Sequence, residues 1–135
     1  MIAAARHIWR GYTLLPKDIL LSFDSFCLHP TICANIARIG YETPTPIQAE
    51  AIPHVAEGQD IMGLAQTGTG KTAAFLLPII HRLMTTKPEK RGVRALILAP
   101  TRELAEQIYQ AGVDLGRGTR LRAAVIYGGV GMFPQ

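Results

Sequence analysis

Residues 65–72 read AQTGTGKT and come directly after the apolar run Ile61-Met62-Gly63-Leu64. A short strand, a tight glycine-rich loop and a helix starting at once behind it make up a phosphate cradle. Successive backbone N–H groups turn inward in such a loop, and the positive end of the next helix adds to the field. Gly68 and Gly70 lack the Cβ that would block unusual dihedrals or the approach of a phosphate oxygen. Lys71 has the reach for β- and γ-phosphates, and the Thr72 hydroxyl is of the kind that ligates Mg²⁺. Ala65, Gln66, Thr67 and Thr69 complete the loop.

The general phosphate-loop pattern starts with glycine, where this chain has Ala65. With that relaxation a chance match in a chain of this size is on the order of 1%. The bland alternative is a glycine-rich turn with a surface lysine. The segment behind the loop disfavours it, because Ala73, Ala74, Phe75, Leu76, Leu77, Ile79 and Ile80 form a mostly apolar helix that has to be buried. Pro78 is expected to kink or shorten that helix.

The cradle needs elements to hold it. His29-Pro30 opens a helix, with proline at the first position where its missing N–H costs nothing. Ile32, Cys33, Ile36 and Ile39 come next at helical spacing, and Gly40 sits where a C-terminal cap belongs. Cys33 on that stripe reads as packing rather than chemistry. Thr45-Pro46-Ile47-Gln48 reads as a second helix start, with Thr45 the cap and Gln48 its capping-box partner. Pro53 is expected to break or re-nucleate that helix, and Gly58 to end it.

Beyond the polar, basic connector TTKPEKRG at 85–92, the continuous apolar run Arg94–Ala99 suits a parallel strand covered on both faces. Thr101 caps the next helix, whose Leu104, Ala105, Ile108, Ala111 and Leu115 lie on one side. Gly112 weakens it by about 1 kcal/mol against alanine. Leu121 to Tyr127 is a third strand, ended by Gly128-Gly129. Strand, helix, strand, helix, strand predicts an α/β fold with a parallel sheet flanked by helices.

The 135 residues suit one domain or less, and an apolar share of 48% supports a real core. Fourteen basic against ten acidic residues leave +4, a mild lean toward polyanions. Cys27 and Cys33 lack C-x-x-C spacing and the four histidines are scattered, so no metal cluster is expected and a cytoplasmic, reducing location fits. No run approaches the roughly 18 apolar residues of a membrane span. Residues 1–21 are compositionally separate, with Arg6, Arg10 and Lys17 against Asp18 alone. They read as a floppy, disordered extension or an upstream start codon rather than a transit peptide, because serine and a cleavage signal are missing.

Several of these segments together resemble one family. GYETPTPIQ at 40–48, with Phe23 seventeen residues before Gly40, resembles the Q motif of DEAD-box RNA helicases. AQTGTGKT resembles their motif I, in which alanine is the usual first residue. PTRELAEQ at 100–107 resembles motif Ia, and Gly128-Gly129 resembles the family's GG motif. The four occur in the family's order and cover about residues 21–135. The ending YGGVGMFPQ is most similar to the RhlE-like subgroup. The resemblance divides the chain into the extension 1–21, a Q-motif region 22–49, and 50–135 as the first part of a RecA-like ATP-binding domain.

The resemblance implies roles. Gln48 would bond the adenine edge, an amide offering donor and acceptor side by side to N6 and N7. It cannot fully serve adenine and the Thr45 cap together. Phe23 would stack on the base, its alternative being core packing beside Phe26; Tyr41 belongs to the same adenine-side group. ATP and Mg²⁺ are the implied cofactors, with Thr72 the metal-binding side chain and Lys71 and Thr72 the catalytic pair. Pro100, Thr101 and Arg102, at the carboxyl end of a strand, would face RNA, with Gly128-Gly129 letting the backbone approach it. Such contacts carry no base information, so RNA binding is expected to be salt-sensitive and sequence-tolerant.

The family's DEAD and SAT motifs and second RecA-like domain do not occur within this sequence. Without those charges ATP hydrolysis by the chain is expected to be negligible. The strands bearing them lie between the motif I and motif Ia strands in the family's sheet, so unpaired edges and a marginal fold are also expected. Three readings compete: the N-terminal piece of an ATP-dependent RNA helicase, a non-catalytic nucleotide- or RNA-binding regulatory module, and another phosphate-loop enzyme. The paired Q motif and motif Ia disfavour the last. Ribonucleoprotein, RNA-decay or ribosome-assembly partners are left open.

Overall fold

The structure, a computed structural model, describes residues 22–88 and 92–129. The extension 1–21, part of the basic connector and the last residues of YGGVGMFPQ lie outside them. A 3₁₀ turn at Phe23–Phe26 comes first, capped by the Ser22 hydroxyl. Four helices come after it: α1 (Pro30–Ile39), α2 (Pro46–Ala56), α3 (Lys71–Thr85) and α4 (Arg102–Leu115). None is long and apolar enough to cross a membrane.

α1 begins and ends as its residues dictate. His29 is the N-cap, with Pro30 first in the helix, and Gly40 closes it in the left-handed region at φ 85°. Thr45 precedes α2, and Gly58 at φ 84° lies just past its last turn. Neither internal proline ends its helix. α2 runs through Pro53 and α3 runs through Pro78 for 15 residues. Each proline forfeits one backbone bond. At Pro78 the ring is fully buried, and that burial offsets the loss.

α3 is the central element and packs on α1, α2 and α4. Its Ala73, Leu76, Leu77 and Ile80 form one cluster with Phe23, Leu28, Ile32, Ile36, Ile52 and Leu115. Cys33 packs against that cluster, and burial, then the charge of Asp24, pushes its thiol up. Polar ties fix the helices' relative placement. Buried Asn35 donates through Nδ2 to the carbonyls of Leu115 (2.9 Å) and Arg117 (2.8 Å), carbonyls that the end of α4 leaves unbonded. Arg94 does the same for α3, reaching the carbonyls of Leu83 (2.8 Å) and Thr86 (2.9 Å).

The His29 N–H donates to His81 Nδ1 at 3.0 Å, tying the start of α1 to α3. Only an unprotonated Nδ1 accepts that bond. Burial, and then nearby His29, holds the His81 pKa below the ordinary imidazole value. Unfolded His81 therefore binds a proton at a higher pH than folded His81, so falling pH favours the unfolded chain. Stability should be flat with respect to His81 above about pH 6.5 and should decline below it. Melting temperatures between pH 7.5 and 5.5 check this: His81→Asn, which keeps an acceptor that does not titrate, should flatten the decline.

The expected parallel sheet is not present among the described residues. The three apolar runs at 61–64, 94–99 and 121–127 belong to no strand there. Nor are the runs at 61–64 and 94–99 covered on both faces as a buried parallel strand would be. Residues 61–64 and 94–98 are all exposed, Met62 (88%), Leu64, Leu96 and Leu98 most of all, whereas Ala99, Leu121, Val125 and Tyr127 are half-buried. A strand is defined by the ladder of its partner, and among the described residues these runs form no ladder with one another. The sequence carried the apolar runs; pairing depends on neighbours it did not specify.

Candidate nucleotide and nucleic-acid site

The loop ahead of α3 is built on two left-handed glycines. Gly68 has φ 80° with open space among the described residues where a Cβ would stand, so glycine is required there by conformation rather than by contact. Gly70 has φ 84° and is the N-cap of α3. A Cβ on Gly70 would collide with Gln48 Nε2, so this glycine is required by conformation and by contact. Thr69 Oγ1 donates to the Gln66 carbonyl at 2.8 Å and closes the turn. Lys71 Nζ donates back to the carbonyls of Ala65 and Gln66, the latter at 2.7 Å, so its ammonium lies across the loop. The first-turn amides of α3 have no intrahelical partner, and half-buried Thr72 is the second residue of that turn. One ammonium, helix-end amides and two glycines that keep the backbone bare make a donor-rich concavity suited to a polyphosphate. A magnesium ion accompanying that phosphate would find the Thr72 hydroxyl as its protein ligand.

Gln48 is buried beside this loop at 3% exposure. Its Oε1 accepts from the Thr45 N–H at 3.0 Å, and its Nε2 donates to the Gly70 carbonyl at 3.1 Å. The amide thus serves the α2 cap and braces the phosphate loop. Thr45 Oγ1, also buried here, has no hydrogen-bond partner among the described residues. Replacing Gln48 with alanine removes both bonds and leaves the Thr45 amide unmatched, while the Gly70 carbonyl keeps its bond from the Ala74 N–H. A loss of about 1–3 kcal/mol in urea unfolding is expected. Phe23 is buried, stacked on Tyr41 (centroids 6.2 Å, planes at 25°) and edge-on to Phe26 (6.0 Å). Its ring belongs to the core cluster, and Tyr41, 39% exposed, is the more accessible face of that stack.

The second group lies at the start of α4. Thr101 Oγ1 accepts from the Leu104 N–H at 3.2 Å and caps the helix. Exposed Pro100 precedes it. The Arg102 guanidinium sits over the Tyr127 ring, 5.8 Å from its centroid. It also lies against Gly129, which has φ 80° and where a Cβ would overlap Arg102 Nη2. Two segments that the sequence assigned separately to nucleic acid, 100–102 and 128–129, therefore meet through one side chain. Tyr127 escaped the sequence reading because a tyrosine ending an apolar run gives no signal of its own.

Residues 45–134 match the DEAD/DEAH box helicase family. The chain belongs to that family. Among curated relatives, it is 53% identical over 108 residues to the ATP-dependent RNA helicase DBP10 of Candida albicans, covering 80% of this chain and 12% of that protein. It is 46% identical over 119 residues to the ATP-dependent rRNA helicase rrp3 of Sclerotinia sclerotiorum, covering 88% of this chain and 24% of the relative. The chain thus spans a quarter or less of the length of these relatives. Its fold is similar to the RNA helicase Prp28 of Chaetomium thermophilum bound to ADP (TM-score 0.76, 38% identity), over 84% of this chain and 28% of that one. A DEAD box protein of Methanococcus jannaschii gives a TM-score of 0.75 at 38% identity, over 84% of this chain and 30% of that one. These neighbours support the RecA-like class without supplying the sheet. The similarity to the RhlE-like subgroup gains nothing from the DBP10 and rrp3 relatives, and residues 130–135 of the segment that suggested it lie outside the described residues.

Proposed function

We propose that this DEAD-box family chain carries the adenosine-nucleotide site and one strip of the RNA surface of an ATP-dependent RNA helicase. The observation that carries this reading is the loop at 65–70 running onto the N-terminus of α3, with Lys71 across it and Gln48 bracing it. Lys71 and the first amides of α3 would hold the β- and γ-phosphates. Thr72 would ligate the Mg²⁺ that neutralises phosphate charge. Gln48 would read the adenine edge by exchanging one of its two present bonds, with Phe23 and Tyr41 on the base side. Pro100, Thr101, Arg102, Gly128 and Gly129 would hold the RNA sugar-phosphate chain. The cysteines are free, in keeping with a reducing cytoplasmic setting.

The ADP held by the Prp28 neighbour supports adenosine nucleotides as the ligand, and the rrp3 relative's name makes ribosomal RNA the first substrate to try. Hydrolysis and strand separation belong to the whole helicase in this reading, and the chain alone should turn over little ATP. RNA-stimulated phosphate release that Lys71→Ala abolishes would contradict that. The nucleic-acid half of the reading is tested by anisotropy with single-stranded RNAs of differing sequence. Affinities should agree across sequences and fall with salt, with a log–log slope of about −0.7 for each phosphate contacted. A strong preference for one sequence, or affinity indifferent to salt, would overturn it.

A further inference from the structure

The Arg102 guanidinium meets two described residues outside its own helix. It sits over the Tyr127 ring and occupies the space that a side chain at Gly129 would fill. An arginine at an exposed helix start otherwise samples many rotamers, and immobilising it on a phosphate costs entropy at the moment of binding. A ring beneath the guanidinium removes part of that cost in advance. A guanidinium held over an aromatic face also keeps N–H donors at its edge for phosphate oxygens. Gly129 lets the backbone lie close enough for its neighbourhood and the guanidinium to address one phosphate together.

We propose that Tyr127 is a positioning residue for RNA: its ring holds Arg102 against Gly129 and so assembles residues 101–102 and 128–129 into one phosphate-binding unit. The inference rests on the nucleic-acid reading of Arg102 and Gly129, and adds a residue that neither the motifs nor the comparisons assign. Tyr127 acts through Arg102 and need not touch RNA itself. The aromatic face is the working part, so phenylalanine should replace it and leucine should not.

The test measures single-stranded RNA affinity of the whole chain by fluorescence anisotropy across a salt series, with Arg102→Ala, Tyr127→Phe, Tyr127→Leu and the Arg102→Ala/Tyr127→Leu double variant. Tyr127→Leu should weaken binding about two- to fivefold, the range of an exposed cation–π contact, and should lower the salt slope as Arg102→Ala does. Tyr127→Phe should bind as the parent does. The double variant should match Arg102→Ala alone, which a general loss of folding would not produce. If Arg102→Ala weakens binding but Tyr127→Leu does not, or if the two losses add in full, the positioning role is wrong. If Tyr127→Phe fails as badly as Tyr127→Leu, the ring face is not what matters, and the proposal falls. If Arg102→Ala leaves affinity unchanged, or the parent chain does not bind RNA at low salt, the nucleic-acid reading itself fails and takes this inference with it.

Discussion

Replacing Lys71 with alanine should weaken binding of adenosine nucleotides by about ten- to a hundredfold. A hydrogen bond to a charged group contributes about 1.5–3 kcal/mol net, and every 1.4 kcal/mol is tenfold in affinity. The ammonium now satisfies loop carbonyls at Ala65 and Gln66, and those bonds must be exchanged for phosphate oxygens when nucleotide enters. The loop's shape does not depend on the lysine alone, since the Gly68 and Gly70 dihedrals, the Thr69 bond to Gln66 and the Gln48 brace persist without it. The loss should therefore appear in affinity with little change in melting temperature. Competition against a fluorescent ADP analogue measures it. Equal affinity for the variant and the parent would remove the ammonium from the site.

The largest effect on stability is expected at Leu77. It has no exposed surface and stands at the middle of α3, the helix that packs on the other three. Leu77→Ala removes buried methyl groups and leaves a cavity, at a cost of about 2–5 kcal/mol. Set against the roughly 5–15 kcal/mol that holds a typical domain together, that loss brings the chain to the edge of unfolding at ambient temperature. Leu64→Ala is the matched control: the same chemical change at an 81% exposed position should move stability by less than about 0.5 kcal/mol. Urea unfolding monitored by circular dichroism distinguishes them. Comparable midpoints for the two variants would mean that the core does not lie along α3.

Some parts of this molecule were legible in the sequence because a single residue determines them. Gly40 ends α1, Thr101 starts α4, and Gly68 and Gly70 bend the phosphate loop, each through a dihedral or a cap that acts locally. Neither Pro53 nor Pro78 ends its helix, against its local preference. At Pro78 that preference is overridden by packing that only the assembled helices provide, as its full burial makes plain; Pro53 is exposed and has no such packing. The apolar runs at 61–64, 94–99 and 121–127 carried the composition of strands but not their partners, and a ladder is a property of pairs.

The candidate site divides along the same line. The loop and Lys71 were readable because eight consecutive residues build them. The bond from Gln48 to Gly70 spans 22 positions, and the contact of Arg102 with Tyr127 spans 25. Neither can be read from spacing along the chain. Gln48 had two credible uses in the sequence, an adenine contact and a helix cap, and its burial between Thr45 and Gly70 displays the second.

The nucleotide reading stands or falls on whether the amides of Gly68 to Thr72, with the Lys71 ammonium, hold the phosphates of an adenosine nucleotide. Backbone amide chemical shifts, recorded by NMR while ADP with Mg²⁺ is titrated into the chain, test it residue by residue. Saturable shifts centred on residues 68–72 are expected, reversed by excess pyrophosphate and absent in Lys71→Ala at the same concentrations. Saturating shifts centred elsewhere, or none at millimolar nucleotide, would contradict it.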